Sequence, residues 1–453
     1  MARWTTKAAA GAALMMVMAS TLVGCSNGDS GSADKGNAAS STTDQSKGAE
    51  AKPAKLVVWG WESSNKALKL NMDDFKKQYP NIDVEFQDIA SSDLYQKFLV
   101  TANSGDQVPD VVTLETSHMA QMVDINGLSD LTEKVKPYKD KMNQFKWSDA
   151  TKDGKIYAMP WDSGPVAMFY RKDIFEKAGL PTDPQEVAKK IRTAKDYMDA
   201  AKIIKEKTGA YMNSSSRSVS DNRIFESMLW QRGLWYFDDK GKVTLDSPEV
   251  IETAQYLTDM MNNGYTFDAE SWKDAWLNGY KDGKVATIIG ASWYVGLLQS
   301  WIAPDNKGLW AAAPMPKWSE GDKWASANDG GSNLAINKNS KNQDAAWKFI
   351  EFMLGKESSQ TKYVEGAGFF PSLETTYSDP VYQKPVEYFG GQKVQSIFTE
   401  TVKQVYPQAY TKDYPLANQL TSDAFAQIFL KKTPVAEAFK NAADQLRKKA
   451  DRK

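Results

Sequence analysis

The stretch Lys155-Ile-Tyr-Ala-Met-Pro-Trp-Asp-Ser-Gly-Pro-Val-Ala-Met-Phe-Tyr-Arg-Lys-Asp-Ile174 constrains the fold most. It starts as a short alternating strand and breaks at Pro160–Pro165. It then resumes as the apolar run Val166–Tyr170, with a helix start at Asp173. Two strands joined by Pro-Trp-Asp-Ser-Gly-Pro read as a chain leaving one sheet and entering another. Such a crossing lies between two lobes, and clefts between lobes are favoured ligand sites.

Length agrees, since 453 residues exceed what one hydrophobic core organises. The net charge of −1 and the lack of a long basic run give nucleic acid no footing. Arg3 and Lys7, the apolar run Ala8–Val23 and Leu22-Val-Gly-Cys25 read as a secretory signal over residues 1–24. Leu-Val-Gly-Cys also resembles a bacterial lipobox, which makes Cys25 the expected lipidation site. Cys25 is the only cysteine, so no disulfide forms within the chain. Residues 25–55, rich in Ser, Gly, Asp, Ala and Lys, read as a flexible tether. No other stretch is apolar for long enough to span a bilayer, so the anchor is expected to be the acyl group alone.

From Leu56 the pattern is strand, helix, strand, helix, strand, ending at Glu115, as in a parallel sheet with right-handed crossovers. Ligands of such sheets sit beyond the carboxyl ends of strands, here Trp61-Glu62 and Glu115-Thr-Ser117. Lys284–Gly290 reads as a strand returning to the first lobe, and Asn328–Asn333 as a further crossing before Leu334-Ala-Ile336. The rest is helical, including a terminal helix from Pro434 with Thr433 as its cap.

Motifs for chemistry are missing. His118 is the only histidine, and no Gly-x-Ser-x-Gly elbow, Walker loop or EF-hand loop is present. One histidine and one cysteine rule out a metal site of His/Cys type. No cofactor, metal or catalytic residue is expected; a carboxylate pair of glycosidase type stays open on counting alone. What stands out is fifteen tryptophans. Trp61, Trp161 and Trp293 end strands or sit on the crossing, beside Glu62, Asp162 and Ser292. A flat indole beside a carboxylate suits a sugar ring: the C–H face stacks and the hydroxyls donate.

Several segments together resemble the maltose-binding-like family of extracellular sugar-binding proteins of ABC importers. They are the lipobox, Leu56-Val-Val-Trp-Gly-Trp-Glu62, Tyr79-Pro-Asn-Ile-Asp-Val-Glu-Phe86, Val108-Pro-Asp-Val-Val112, Tyr157–Pro165, Met168–Pro181 and Gly283-Lys-Val-Ala-Thr287. The resemblance implies an α/β, two-lobed periplasmic-binding-protein type II fold with a ligand cleft and three hinge crossovers. It implies an N-terminal lobe of 56–161 plus 287–326 and a C-terminal lobe of 162–286 plus 327–453. It implies a binding protein, not an enzyme: a monomeric, lipid-anchored oligosaccharide receptor on the extracellular face of the cell membrane, handing ligand to ABC permease subunits. A receptor for a non-sugar solute such as a polyamine is the alternative. By loop position, the implied pocket residues are Trp61, Glu62, Glu115, Trp161, Asp162, Trp293, Asp329, Gly330 and Gly331, with Asp93, Trp230 and Phe370 as further candidates.

Overall fold

The computed structural model describes residues 53–104, 108–406 and 410–451. The signal segment, Cys25 and most of the tether lie outside them. Eight strands build two sheets, one per lobe. In chain order they are β1 (Ala54–Gly60), β2 (Ile82–Asp88), β3 (Val111–Glu115), β4 (Ala158–Pro160), β5 (Val166–Arg171), β6 (Thr287–Ala291), β7 (Trp310–Pro314) and β8 (Ser332–Ile336). β1 begins at Ala54, so the last tether positions are already sheet.

The first lobe's sheet has the order β2-β1-β3-β8-β4. β1 runs parallel to β2 and β3, as the β-α-β-α-β pattern requires; β8 enters antiparallel between β3 and β4. Leu56, Val58, Val112 and Leu334 from these strands share a core with Phe75 and Phe349 of flanking helices. The second lobe's sheet is β6-β5-β7, antiparallel throughout. β5 is buried along its whole length, because helices cover both faces of its sheet. Val166, Met168 and Tyr170 enter one core, and Ala167 and Phe169 the other, as the two-residue strand period demands.

This pairing corrects the expected lobe boundaries. Residues 287–326 supply β6 and β7 and belong to the second lobe. Residues 332–336 supply β8 and return to the first lobe, followed there by the helices Gln343–Gly355 and Glu357–Ala367. Thr287–Ala291 is buried at every position, so its composition suits a central position in either sheet. Only its partner, β5, decides between them.

Three crossings join the lobes. The first is Trp161–Pro165, and the second, residues 327–331, runs antiparallel beside it, with the N–H of Asp329 donating to the Gly164 carbonyl at 2.8 Å. The third is Phe370–Pro371, paired with Asp162–Ser163. Close approach requires glycine at two points. A Cβ on Gly164 would lie 2.0 Å from the Asp329 carbonyl oxygen, and one on Gly331, at φ +85°, would lie 2.5 Å from that of Asp162.

Glu62-Ser-Ser-Asn65 opens a helix, Glu62–Lys69, and a second helix, Met72–Gln78, follows. One local expectation also changes. The terminal helix is Val435–Lys449, with no side-chain cap from Thr433. Among the described residues, no helix is long and apolar enough to cross a membrane.

Candidate functional site: an interlobe cleft

The lobes face each other across a cleft of about 1870 Å³. The first lobe supplies Trp61 and Glu62 after β1 and Glu115 at the end of β3. The crossings supply Asp162, Asp329, Gly330 and Gly331. The second lobe supplies Arg223 and Glu226 from the helix Arg223–Gln231, and Trp272, Trp293 and Trp301. Indoles and carboxylates therefore come from both lobes, with Trp61 resting on the first lobe's core and Trp272 and Trp293 on the second's.

Arg223 organises the floor. Its Nη1 donates to Asp329 Oδ1 at 2.7 Å, and its Nε lies 3.4 Å from Asp221 Oδ1. Its guanidinium carbon is 5.6 Å from the Trp272 ring and 5.5 Å from the Trp293 ring, within cation–π reach. Trp293 Nε1 donates to the Asp329 carbonyl at 3.0 Å, tying the indole to the crossing. Asp329 Oδ2 is buried and meets no hydrogen-bond partner within the described residues. Burial raises the Asp329 carboxyl, and Arg223 opposes that shift.

Trp272 and Trp301 stack with planes 3° apart, and Trp293 leans on Tyr294 at 4.2 Å between centroids. Trp301 keeps 46 % of its surface exposed, and Trp272 sits at φ +71°. Such a left-handed backbone costs a bulky residue strain of about 1–3 kcal/mol, as is tolerated at functional sites.

On the opposite side, Tyr95 stacks on His118 at 3.7 Å and 2°. Burial pushes His118 down to about 4, so the ring is neutral near pH 7 and gives Glu115 no counter-charge. Burial also raises the Glu115 carboxyl. Behind the floor, burial lifts Glu226 to about 7, although it accepts from the Tyr236 hydroxyl at 2.6 Å and Asn418 Nδ2 at 2.7 Å.

Of the expected pocket residues, Trp61, Glu62, Glu115, Asp162, Trp293, Asp329, Gly330 and Gly331 do line the cleft. Four do not. Trp161 is fully buried, edge-on to Tyr363 at 5.2 Å and Phe369 at 5.3 Å. Its backbone opens the crossing, but its indole points into the first lobe's core. Trp230 donates to the Tyr406 carbonyl at 2.6 Å and packs edge-on to Trp235; it reaches only a water-sized void of about 10 Å³ behind Asp329. Phe370 is buried among Tyr377, Tyr382 and Phe398. Asp93 is exposed in the first turn of the helix Ser91–Ser104, away from the cleft lining. Arg223, Glu226, Trp272 and Trp301 were not expected. The exposed Trp301 and the paired Trp272 and Trp276 carry the aromatic signal, but nothing local in the chain singles out Arg223 or Glu226.

Comparison with known proteins accords with this architecture. Residues 59–360 match the family described as bacterial extracellular solute-binding protein. The arabinooligosaccharide-binding protein of Bacillus subtilis (strain 168) is 26 % identical over 96 % of this chain and 98 % of its own. The lactose-binding protein of Rhizobium radiobacter is 26 % identical over 86 % of this chain and 92 % of its own. A solved ABC transporter associated binding protein from B. animalis subsp. lactis Bl-04, in complex with beta-1,6-galactobiose, superposes with a TM-score of 0.74 at 27 % identity, covering 88 % of this chain and 97 % of its own. With a two-lobed α/β fold and an open interlobe cleft, the chain belongs to the bacterial extracellular solute-binding protein family, whose members bind rather than transform their ligands.

Proposed function

We propose that this chain is an oligosaccharide receptor delivering its ligand to the permease of an ABC importer. It would act as a monomer held by a lipid on Cys25 at the extracellular face of the membrane. The observation that carries the reading is the pairing of indole faces with carboxylates across the cleft: Trp61 and Glu115 on one side, Trp272, Trp293 and Asp329 on the other. Indoles stack on the C–H faces of sugars, and ionised carboxylates accept strongly from hydroxyls. The volume of about 1870 Å³ exceeds the roughly 300–1,000 Å³ of ordinary small-ligand pockets, which favours several sugar units over one. The relatives' arabinooligosaccharide, lactose and galactobiose ligands support the same class. Ligand contacts made to both lobes favour the closed state, so binding shifts the balance toward closure about the crossings.

Calorimetric titration with a panel of neutral di- and oligosaccharides tests the reading; saturable binding to at least one is expected. Binding of spermidine with no response to any glycan would replace it with the second reading, a cationic solute, which the excess of acids in the cleft favours. Anchoring is tested separately: Cys25→Ala should move the protein from the membrane fraction to the medium.

A further inference from the structure

We infer that the cleft takes uncharged saccharides and rejects anionic ones, because the one cation on its floor among the described residues, Arg223, is already committed to two acids of the same chain. This deepens the receptor reading and rests on it.

Three basic side chains line the cleft among the described residues: Lys66, Arg223 and Lys384. Lys66 pairs with Glu62 at 2.7 Å, one helical turn away at the rim. Lys384 pairs with Glu365. Arg223 is the only one on the floor, and it serves both Asp329 and Asp221 while lying over two indoles. The remaining acids outnumber what these cations neutralise. Glu115 faces the cleft from the first lobe, 3.7 Å from Nδ1 of the neutral His118 and beside the uncharged Tyr95 and Ser117; the charge that favours its ionised form is that of Arg223, already shared with Asp329 and Asp221. Glu226 adds a second carboxyl behind Arg223, held among the described residues by hydroxyl and amide donors and by no cation. Asp162 faces the buried Lys146, so that lysine is not offered to the cleft.

A sugar hydroxyl meets this surface well, since it donates to a carboxylate at no cost in charge. A sugar carboxylate, sulfate or phosphate does not. It would lose its water between Glu115 and Asp329, and would have to take Arg223 from two acids held by its own chain. Desolvated charge without a partner is costly, and like-charge juxtaposition adds to that cost. Shape alone does not impose this choice, because the cleft has room to spare for one carboxylate.

The test compares, on the full chain, the neutral glycan that binds tightest with the same glycan whose terminal hydroxymethyl group is oxidised to a carboxylate. Calorimetry is run at low and high salt. The acidic glycan should bind more than about tenfold weaker. The gap should shrink in high salt, where charges are screened, and also in Glu115→Gln, which keeps the shape and removes a charge. Salt acts on the native protein, so the test stands even if the variant folds poorly. Equal binding of both glycans overturns the inference. A gap that neither salt nor Glu115→Gln moves overturns it too, by making the exclusion steric. No binding of any neutral glycan overturns the receptor reading itself, a separate result.

Discussion

The backbone N–H of Ser332 donates to Asp162 Oδ1 at 2.7 Å, joining the first crossing to the start of β8, 170 positions away in the chain. Both residues are buried, and Ser332 Oγ donates to the same oxygen. Nearby, the fully buried Lys146 donates to Thr116 Oγ1, and Thr116 in turn donates to the Gly331 carbonyl at 3.1 Å. Burial lowers Lys146, and the charges of Asp162 and Asp149 hold it up. The hinge is thus a polar cluster, and its parts depend on one another.

Removing Asp162 breaks that cluster. Asp162→Ala leaves the Ser332 N–H unpaired and takes from the buried Lys146 the larger of its two counter-charges, with Asp149 the other, at a cost of about 3–5 kcal/mol. Asp162→Asn keeps an acceptor oxygen and should cost clearly less. Urea unfolding of both variants measures this; equal losses would show that the carboxylate charge is irrelevant at the hinge.

Glu226 makes stability depend on pH. Its native carboxyl titrates at about 7 against an ordinary 4.5, with burial as the largest cause. The folded protein therefore holds the extra proton between these values. The stability this provides is complete below about 4.5 and is lost as pH rises through about 7. Glu226→Gln stays neutral and still accepts from Tyr236. The variant should gain about 1–3 kcal/mol on its parent between pH 5 and pH 8. Thermal unfolding at the two pH values checks this, and a difference that does not change with pH would contradict it.

Two tryptophans that look alike in the sequence should separate. Trp161→Ala empties a core site and should cost about 3–5 kcal/mol of stability. Trp61→Ala removes a half-buried cleft side chain and should instead weaken ligand binding by about 2 kcal/mol, roughly thirtyfold. Melting curves and titrations on both variants decide the matter; a Trp61 variant with undiminished affinity would remove that indole from the site.

Trp272 allows strain and stacking to be told apart. Trp272→Ala and Trp272→Gly both delete the indole that stacks on Trp301, so both should lose affinity equally. Only alanine keeps a Cβ at φ +71°. The glycine variant should therefore be the more stable of the two by about 1 kcal/mol. The opposite order in denaturant melts would argue against a strained backbone.

Much of this was legible before any coordinates. The strand, helix, strand, helix, strand run that ends at Glu115 and the Pro-Trp-Asp-Ser-Gly-Pro break follow from short-range periods and turn chemistry. The carboxylates at strand ends, Glu62 and Glu115, could be placed at the cleft because parallel sheets open at those ends.

The sequence by itself determined the alternation of elements, the existence of a crossing and the chemistry available to a cleft, since these depend on residues near one another in the chain. Only the tertiary structure decided which lobe received Thr287–Ala291 and Ser332–Ile336, because a strand buried at every position carries no label for its sheet. It also decided that Trp161 packs inward while Trp272 faces the ligand space, and that Arg223 meets Asp329 across 106 positions. An indole serves a core and a sugar face equally well, and a charge finds its partner only when distant segments fold against each other.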